Sequence, residues 1–157
     1  MDKLIKHEGL QSASSIDVHA HAVLDESMGA AGKYGPELSE VEGQPTVFRV
    51  GDYELQGVKY RDSAFMDVEK RIAGMKASGI DFQILSPNPL TYFHYIDAPS
   101  AVRFCKRHND VLRDLVSEHP RKLAGFAALP MQDIPAACDE LRRAVSELGL
   151  LAGYIGT

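Results

Sequence analysis

The sequence predicts an α/β fold in which helices cover a parallel sheet. Strand-like segments alternate with helix-like segments along the chain, and several of the strand-like segments are continuously apolar. The helix-like segments place apolar residues at the spacing of an amphipathic helix. Both a doubly wound sheet and a (β/α)₈ barrel satisfy this pattern.

The first predicted strand is Ser15 to Ala20, and a glycine-rich loop, ESMGAAGKYGPELSEVEG, follows it. The next predicted element is an inserted β-hairpin over Thr46 to Tyr60. Two β-patterned runs flank Gly51-Asp52 there, and a two-residue connection of this type suits a tight hairpin turn.

A helix is predicted after the hairpin. Asp62 or Ser63 is the expected N-cap and Gly79 follows the last turn. The apolar residues at helical spacing are Phe65, Val68, Ile72 and Met75. The second predicted strand, Asp81 to Ser86, ends at a turn with the sequence PNP.

Two further helices and two further strands are predicted in the rest of the chain. Asp97 caps a helix that carries Pro99 in its first turn and stops at Pro120. The third strand is KLAGFAALP, and Asp133 with Pro135 starts the third helix. The fourth strand lies in LLAGYIGT.

Two observations favour the barrel over the doubly wound sheet. No Gly-x-Gly-x-x-Gly motif follows the first strand, so the expected phosphate-binding turn of a dinucleotide-binding sheet is absent. Polar residues instead follow the carboxyl ends of the strands, where barrel enzymes build their active sites. These residues are His19, His21, Ser86, Asn88 and Gln132.

A barrel of this type has eight strands and about 250 residues. The chain has 157 residues and four predicted sheet strands. We therefore expect the N-terminal half of a (β/α)₈ barrel, about four βα units, in one incomplete domain over residues 1–157. Its expected parts are the first strand with the two histidines at 15–21, the loop and hairpin insertion at 22–61, and the βα units at 62–157.

Composition narrows the possible partners. Seventeen basic residues stand against 22 acidic ones, for a net charge of −5, and no basic run occurs. These features argue against nucleic acids and anionic membranes as partners and favour small molecules or proteins. We expect a cytoplasmic protein without a transmembrane segment. Cys105 and Cys138 are expected to be buried reduced thiols.

The stretch SIDVHAHAVL contains the main candidate site. Strict alternation places Asp17, His19 and His21 on one strand face, where a divalent metal would bind the imidazoles and offset the aspartate charge. Zinc suits these ligands. The residues of the other face, expected to pack on helices, are Ile16, Val18 and Ala20. Alternatively, the two histidines are only hydrogen-bonded or solvated.

The chain from Ile16 onward resembles a known family. The segments that carry the resemblance are IDVHAHAVL, VFRV, VEKRIAGMKASGIDFQILSPNP and HPRKLAGFAALPMQDIPAACDELRRAVSELGLLAGYIGT. They are similar to the amidohydrolase-related (amidohydrolase 2) decarboxylases, in a pattern close to that of α-amino-β-carboxymuconate-ε-semialdehyde decarboxylase.

The resemblance implies a distorted (β/α)₈ barrel that holds one catalytic zinc and no organic cofactor, usually in a homodimer. It implies the removal of CO₂, without oxidation, from a small aromatic or muconate-type carboxylate. His19 and His21 correspond to two zinc ligands, and Arg49 to an arginine that binds a substrate carboxylate. Family members take a further histidine ligand, an aspartate ligand and the acid/base histidine from later strands, expected beyond Thr157.

Two other functions remain open at this point. A metal-dependent hydrolase of the same superfamily would also place two histidines on the first strand. A non-catalytic interaction module would need no further ligands. Two roles stay open for Asn88 and Met131: they line a pocket, or Asn88 caps a turn and Met131 fills a gap in the packing. For His94, an aromatic loop that walls the pocket is favoured over a role as a metal ligand.

Overall fold

A computed structural model describes residues 6–156 of the chain. Its strands and helices, in chain order, are β1 (Ile16–Ala22), β2 (Glu37–Ser39), β3 (Val47–Val50), β4 (Tyr53–Gln56), α1 (Val68–Ala77), β5 (Phe82–Pro87), α2 (Ala98–Glu118), β6 (Leu123–Ala127), α3 (Ile134–Ser146) and β7 (Ala152–Gly153). The predicted fourth strand is thus shorter than expected, and Thr157 lies outside the described residues.

The main sheet has the strand order β1-β5-β6-β7, and every neighbouring pair in it is parallel. A helix connects β5 to β6 and another connects β6 to β7, as the alternating pattern of the sequence predicts. The parallel α/β architecture is therefore confirmed. Among the described strands, β1 and β7 each pair on one side only.

The predicted hairpin is also confirmed, as β3 and β4 joined at Gly51-Asp52. Gly51 has a φ of 60°, and a Cβ added there would come within 2.7 Å of the Tyr95 hydroxyl oxygen, so glycine suits both the turn and the close approach. The glycine-rich loop contains one strand that the sequence did not predict. This strand, β2, pairs with β3 and completes a three-stranded antiparallel sheet.

The predicted start of the first helix is wrong. Asp67, rather than Asp62 or Ser63, is the N-cap of α1, and its carboxylate accepts the N–H of Lys70 at 2.9 Å. The preceding residues form turns because the Ser63 carbonyl accepts the N–H groups of Met66 and Asp67. The starts of α2 and α3 are confirmed, since Asp97 and Asp133 cap them with proline in the first turn.

The sheet has apolar residues on both faces. The face that packs on the helices carries the larger cluster, which includes Ala20, Ala22, Leu85, Met75, Val111, Leu112 and Val116. The opposite face carries a smaller cluster with Phe82, Ile84 and Ala124 at its centre. The strand β5 is buried along its whole length between the two clusters.

The apolar residues of β1 are only partly covered, which corrects one expectation. Ala20 is buried as predicted, but Ile16 and Val18 are 42% and 56% exposed. Ile16 pairs with Phe82, on the sheet face opposite the larger helix-side cluster. Among the described strands, β1 also has no neighbour on its outer side, so these two side chains face solvent.

The two cysteines lie in different environments. Cys105 is buried in α2 as expected, and burial raises the pKa of its thiol to about 12. Cys138 is exposed, so the expectation of a buried thiol is wrong there. The buried positions of α3 are Ala137, Glu140 and Ala144, and Cys138 lies off that face of the helix.

None of the helices among residues 6–156 is both long and apolar enough to cross a membrane.

We predict that the chain associates with itself through the open edge at β1. Unpaired strand edges with exposed apolar side chains template pairing with other chains. Val18→Lys should reduce the concentration-dependent mass in light scattering, because a charge on an edge strand opposes pairing. Val41→Lys is the matched control, since Val41 is also exposed, at 53%, but lies outside the sheets. A monodisperse monomer of the unaltered chain would contradict this prediction.

We predict that His108 makes the fold less stable in acid. His108 is 2% exposed, and burial lowers its pKa to about 4. The unfolded chain takes up this proton below pH 6.5 while the folded chain does not, so stability is full above pH 6.5 and falls as the pH approaches 4. The loss should total about 3 kcal/mol. The free energy of unfolding, measured with denaturant across this pH range, should fall by this amount in the unaltered chain but not in His108→Leu. Equal pH dependence in the two proteins would contradict the prediction.

Candidate metal centre

Two histidine side chains meet at the carboxyl-terminal end of β1. The Nε2 atoms of His19 and His21 lie 3.2 Å apart, and the rings are nearly perpendicular, with an interplanar angle of 77°. His19 is exposed and His21 is half-buried. The two side chains therefore present one nitrogen each to a common point that solvent can reach.

The other ring nitrogen of His21 is already engaged. Its Nδ1 lies 2.9 Å from the carbonyl oxygen of Pro87 and 2.9 Å from the hydroxyl oxygen of Ser86, both at the end of β5. A carbonyl oxygen can only accept, so Nδ1 carries the proton and the lone pair of the neutral ring is on Nε2. Burial lowers the pKa of His21, and the Pro87 carbonyl partly opposes this. The imidazole is thus held in the form that binds metals.

The spacing of the two histidines fits a shared metal ion. Two imidazole nitrogens bound at about 2.1 Å to one tetrahedral ion are about 3.4 Å apart. The observed Nε2 separation of 3.2 Å is close to that value. A catalytic zinc normally has three protein ligands. Within residues 6–156, however, no three His, Cys, Asp or Glu side chains are grouped so that they could hold a metal.

The aspartate is not on the histidine face, which corrects a second expectation. In the register with β5, Asp17 pairs with Gln83 and Ala20 pairs with Leu85, so β1 carries one extra residue between these pairs. An extra residue is a β-bulge, and it reverses the alternation of side chains beyond it. Asp17 therefore shares a face with Gln83 and with the helices, whereas the imidazoles lie on the other face.

Asp17 is linked through a glutamine to an arginine, which contributes to offsetting its charge. Gln83 Nε2 donates to Asp17 Oδ2 at 2.8 Å, and Arg71 of α1 donates to Gln83 Oε1 at 2.7 Å. The His19 backbone N–H donates to Asp17 Oδ1 at 2.9 Å, and this bond is the main cause that lowers the pKa of Asp17. Burial lowers the pKa of Arg71 to about 10, so it stays cationic at neutral pH.

Arg49, the expected substrate-binding residue, lies on β3 in the antiparallel sheet. Its guanidinium forms a two-point ion pair with Glu37 of β2, with contacts of 2.6 and 3.2 Å. The same group donates to the carbonyl oxygens of Lys33 and Gly51 at 3.1 and 2.9 Å. The side chain is 26% exposed, so one part of it remains open to solvent.

Aromatic side chains stand beside His21. The ring of Tyr154, which follows β7, lies 6.0 Å from the His21 ring and 6.0 Å from the ring of Tyr92. Burial, together with Tyr154, raises the pKa of Tyr92 to about 12. His94 is exposed, and its ring lies 6.0 Å from that of Tyr92, so it belongs to the aromatic loop as expected.

Two other polar residues predicted at the carboxyl ends of the strands, Asn88 and Gln132, form hydrogen bonds that stabilise the loops after β5. Asn88 caps the turn after β5 by accepting the N–H of Leu90 at 3.0 Å, which is one of its two expected roles. Gln132 donates to the carbonyl oxygens of Phe93 and Ile96, which fastens the aromatic loop to the end of β6. Met131 packs against the larger apolar cluster, also one of its two expected roles.

Sequence reasoning missed Arg71, Gln83 and Tyr154. Arg71 is not among the apolar residues predicted for the first helix, and Gln83 lies inside the predicted strand Asp81 to Ser86. The available signal was a glutamine inside the otherwise apolar segment FQIL, since a buried amide needs polar partners. Tyr154 carried no such signal, because its place beside His21 depends on the parallel packing of β7.

Residues 16–155 match the Amidohydrolase family. This chain belongs to that family. The match covers the histidine strand, the hairpin and all βα units, so the resemblance noted in the sequence is confirmed over nearly the whole described chain.

Two curated relatives of this chain are decarboxylases. It is 33% identical over 96 residues to the 2-amino-3-carboxymuconate-6-semialdehyde decarboxylase of Dictyostelium discoideum, an alignment that covers 61% of the chain and 27% of the relative. It is 36% identical over 111 residues to the gamma-resorcylate decarboxylase of Rhizobium sp. (strain MTP-10005), which covers 69% of the chain and 32% of the relative.

Solved structures show the same fold. A 2,6-dihydroxybenzoate decarboxylase from Rhizobium superposes with a TM-score of 0.65 at 27% identity, over 88% of this chain and 37% of that one. A dihydroxybenzoic acid decarboxylase from Polaromonas sp. JS666, with bound manganese and the inhibitor 2-nitroresorcinol, gives a TM-score of 0.65 at 28% identity and the same coverage. The chain thus spans about a third of the length of these relatives, and its sheet corresponds to part of a (β/α)₈ barrel.

We predict that His21 is in the Nδ1–H tautomer at neutral pH, because Pro87 offers only an acceptor. Long-range ¹H–¹⁵N correlation spectra should show a protonated Nδ1 and an unprotonated Nε2 for His21, with the exposed His94 as the reference. Ser86→Ala should leave the tautomer unchanged, since the Pro87 carbonyl remains in place. A protonated Nε2 in His21 would refute the assignment.

Proposed function

We propose that this chain provides part of the active site of a metal-dependent decarboxylase, which removes CO₂ without oxidation from a small aromatic or muconate-type carboxylate. The observation that carries the proposal is the convergence of the His19 and His21 Nε2 atoms, 3.2 Å apart, with Nδ1 of His21 tied to Pro87. Two curated relatives are decarboxylases of such carboxylates, which supports the reaction class.

His19 and His21 are the proposed ligands of one divalent cation, and no organic cofactor is part of the proposal. Zinc suits neutral imidazole ligands. The structure from Polaromonas sp. JS666 contains manganese, so manganese is the second metal to test. A bound divalent ion would polarise substrate oxygens and lower the pKa of a bound water. A third ligand and the acid/base histidine are proposed to come from residues other than those described here.

Arg49 is the proposed partner of the substrate carboxylate. Its planar guanidinium suits two-point binding of a carboxylate, and Glu37 already occupies it in that way. The substrate carboxylate would have to replace Glu37 at the guanidinium. Both Arg49 and Glu37 lie in the antiparallel sheet, so this part of the insertion would close over the substrate.

The aromatic side chains next to His21 fit an aromatic or conjugated substrate. Tyr154 and Tyr92 form a wall beside the imidazole, and Phe126 stacks on Tyr154 at 6.1 Å between ring centroids. Planar rings offer broad apolar contact to a flat ligand. A wall of this kind would exclude water from one side of the substrate.

Three further parts of the proposal concern the whole protein. The chain is proposed to form one incomplete barrel domain and to act in a homodimer. The cytoplasmic location expected from the sequence stays part of the proposal. Hydrolysis is the second candidate reaction, since the family is named for amidohydrolases.

The reaction can be tested with 2,6-dihydroxybenzoate, the compound named for one solved relative. The protein, in the longest form its gene encodes, should release CO₂ and an equal amount of resorcinol. Chelation should abolish the release, and zinc or manganese should restore it. His19→Ala and His21→Ala should lower kcat/KM by at least about a hundredfold, because each removes a ligand of the metal. Arg49→Lys should mainly raise KM, because lysine cannot bind a carboxylate in the same two-point fork.

His119→Ala is the matched control, since His119 lies at the end of α2 and its backbone bonds reach Val116, Lys122 and Leu123, not β1. Cleavage of a water-labile substrate without CO₂ release would replace the decarboxylase proposal with the hydrolase. Activity that survives both histidine substitutions would remove the metal site from the proposal.

A further inference from the structure

Arg71 is a buried cation whose direct partners are neutral. Its side chain is 7% exposed, and its Nη atoms donate to the Gln83 amide oxygen and to the His21 carbonyl oxygen, each at 2.7 Å. Burying a charge is costly unless it is paired or fully hydrogen-bonded. The nearest carboxylate in this group is that of Asp17, which Arg71 reaches through Gln83.

The three side chains form a directed chain of hydrogen bonds. Arg71 can only donate, the ionised Asp17 can only accept, and Gln83 does both, so the polarity of every bond is determined. The amide of Gln83 is oriented by its two partners, with its oxygen toward Arg71 and its nitrogen toward Asp17. Gln83 is itself buried, at 8% exposure, so this orientation has little water to compete with it.

The two end residues of this hydrogen-bond series, Arg71 and Asp17, each also bind the backbone of a proposed metal ligand. Asp17 accepts the N–H of His19 at 2.9 Å, inside the bulge where β1 leaves regular pairing with β5. Arg71 donates to the carbonyl oxygen of His21 at the end of the same strand. A bulge can redirect a side chain, and here it separates Asp17 from the face that carries the two imidazoles.

We propose that Arg71, Gln83 and Asp17 act as positioning residues, which hold the bulge of β1 so that the Nε2 atoms of His19 and His21 point at one metal ion. This inference rests on the proposed metal site. It gives a function to the buried Arg71 group, whose removal from water would otherwise only lower the stability of the fold.

A second buried ionic group supplies a comparison. Glu140 of α3 is 2% exposed, pairs with Arg143 at 2.8 Å and accepts from Asn109 of α2 at 2.7 Å. This group joins two helices, and its described hydrogen bonds reach α2, α3 and Ala128 but not β1. Loss of the Glu140 group should lower the stability of the fold and leave the two histidines unaffected. Comparison with it therefore distinguishes a structural role of Arg71, Gln83 and Asp17 from a positioning role.

Zinc affinity of the protein, in the longest form its gene encodes, tests the inference when it is measured by competition with a chromophoric chelator. Gln83→Met keeps the charge and nearly the shape of the side chain but breaks both hydrogen bonds. It should weaken zinc binding by about tenfold or more, as is usual for residues that orient metal ligands. The ¹⁵N spectrum should also show loss of hydrogen-exchange protection at the His19 amide.

A charge-conserving swap should restore binding. In the double variant Asp17→Asn with Gln83→Glu, the asparagine can still accept from His19, and the glutamate can accept from both Asn and Arg71, so every bond is kept. The double variant should bind zinc within about threefold of the unaltered protein. Asp17→Asn alone should bind zinc about tenfold more weakly, because the amide nitrogens of the introduced asparagine side chain and of Gln83 would then face each other as two donors.

Glu140→Gln is the matched control and should lower the melting temperature while zinc affinity stays the same. Unchanged zinc binding in Gln83→Met, or an equal loss in Gln83→Met and Glu140→Gln, would overturn the positioning role alone. A double variant no better than Asp17→Asn would overturn it too. Zinc titration that leaves the imidazole signals of His19 and His21 unshifted in the unaltered protein would overturn the metal site and this inference with it.

Discussion

The parallel pairing of β1 with β5 is the interaction on which the candidate metal centre depends. It brings the carbonyl of Pro87 and the hydroxyl of Ser86 to Nδ1 of His21, which leaves Nε2 free for a metal. It also places Gln83 beside Asp17, which links the strand to α1 through Arg71. One backbone register thus determines the tautomer of one histidine and the position of both.

The bulge in that register explains why the polar residues of β1 lie on two different faces of the sheet. Asp17 turns toward the helices, where a buried arginine contributes to offsetting its charge, and the imidazoles turn toward the open face of the sheet. Because the Asp17 carboxylate is on the opposite face, no third His, Cys, Asp or Glu side chain among residues 6–156 joins the two imidazoles in a group that could hold a metal. Further ligands, supplied by other residues, would set the charge and geometry of the bound ion.

The residues around the histidine pair come from several elements of the fold. Tyr154 and Tyr92 form an aromatic wall on one side, and Gln132 fastens the loop that carries Tyr92 to the end of β6. Arg49 lies in the separate antiparallel sheet, bound to Glu37. The proposed metal ligands and the proposed carboxylate-binding residue therefore lie in different sheets.

The sequence by itself determined the parallel α/β fold, the hairpin at Gly51-Asp52, the caps Asp97 and Asp133, and the histidine pair as the candidate site. These features are local, since periodicity, turn residues and caps act within a few residues. Only the tertiary structure decided that Asp17 faces Gln83, that Arg71 is buried, and that Tyr154 lies beside His21. A bulge changes which face a side chain occupies without a clear mark in composition, and contacts between distant strands depend on register. The local pattern therefore indicated which residues form the site, and long-range packing decided how they are held.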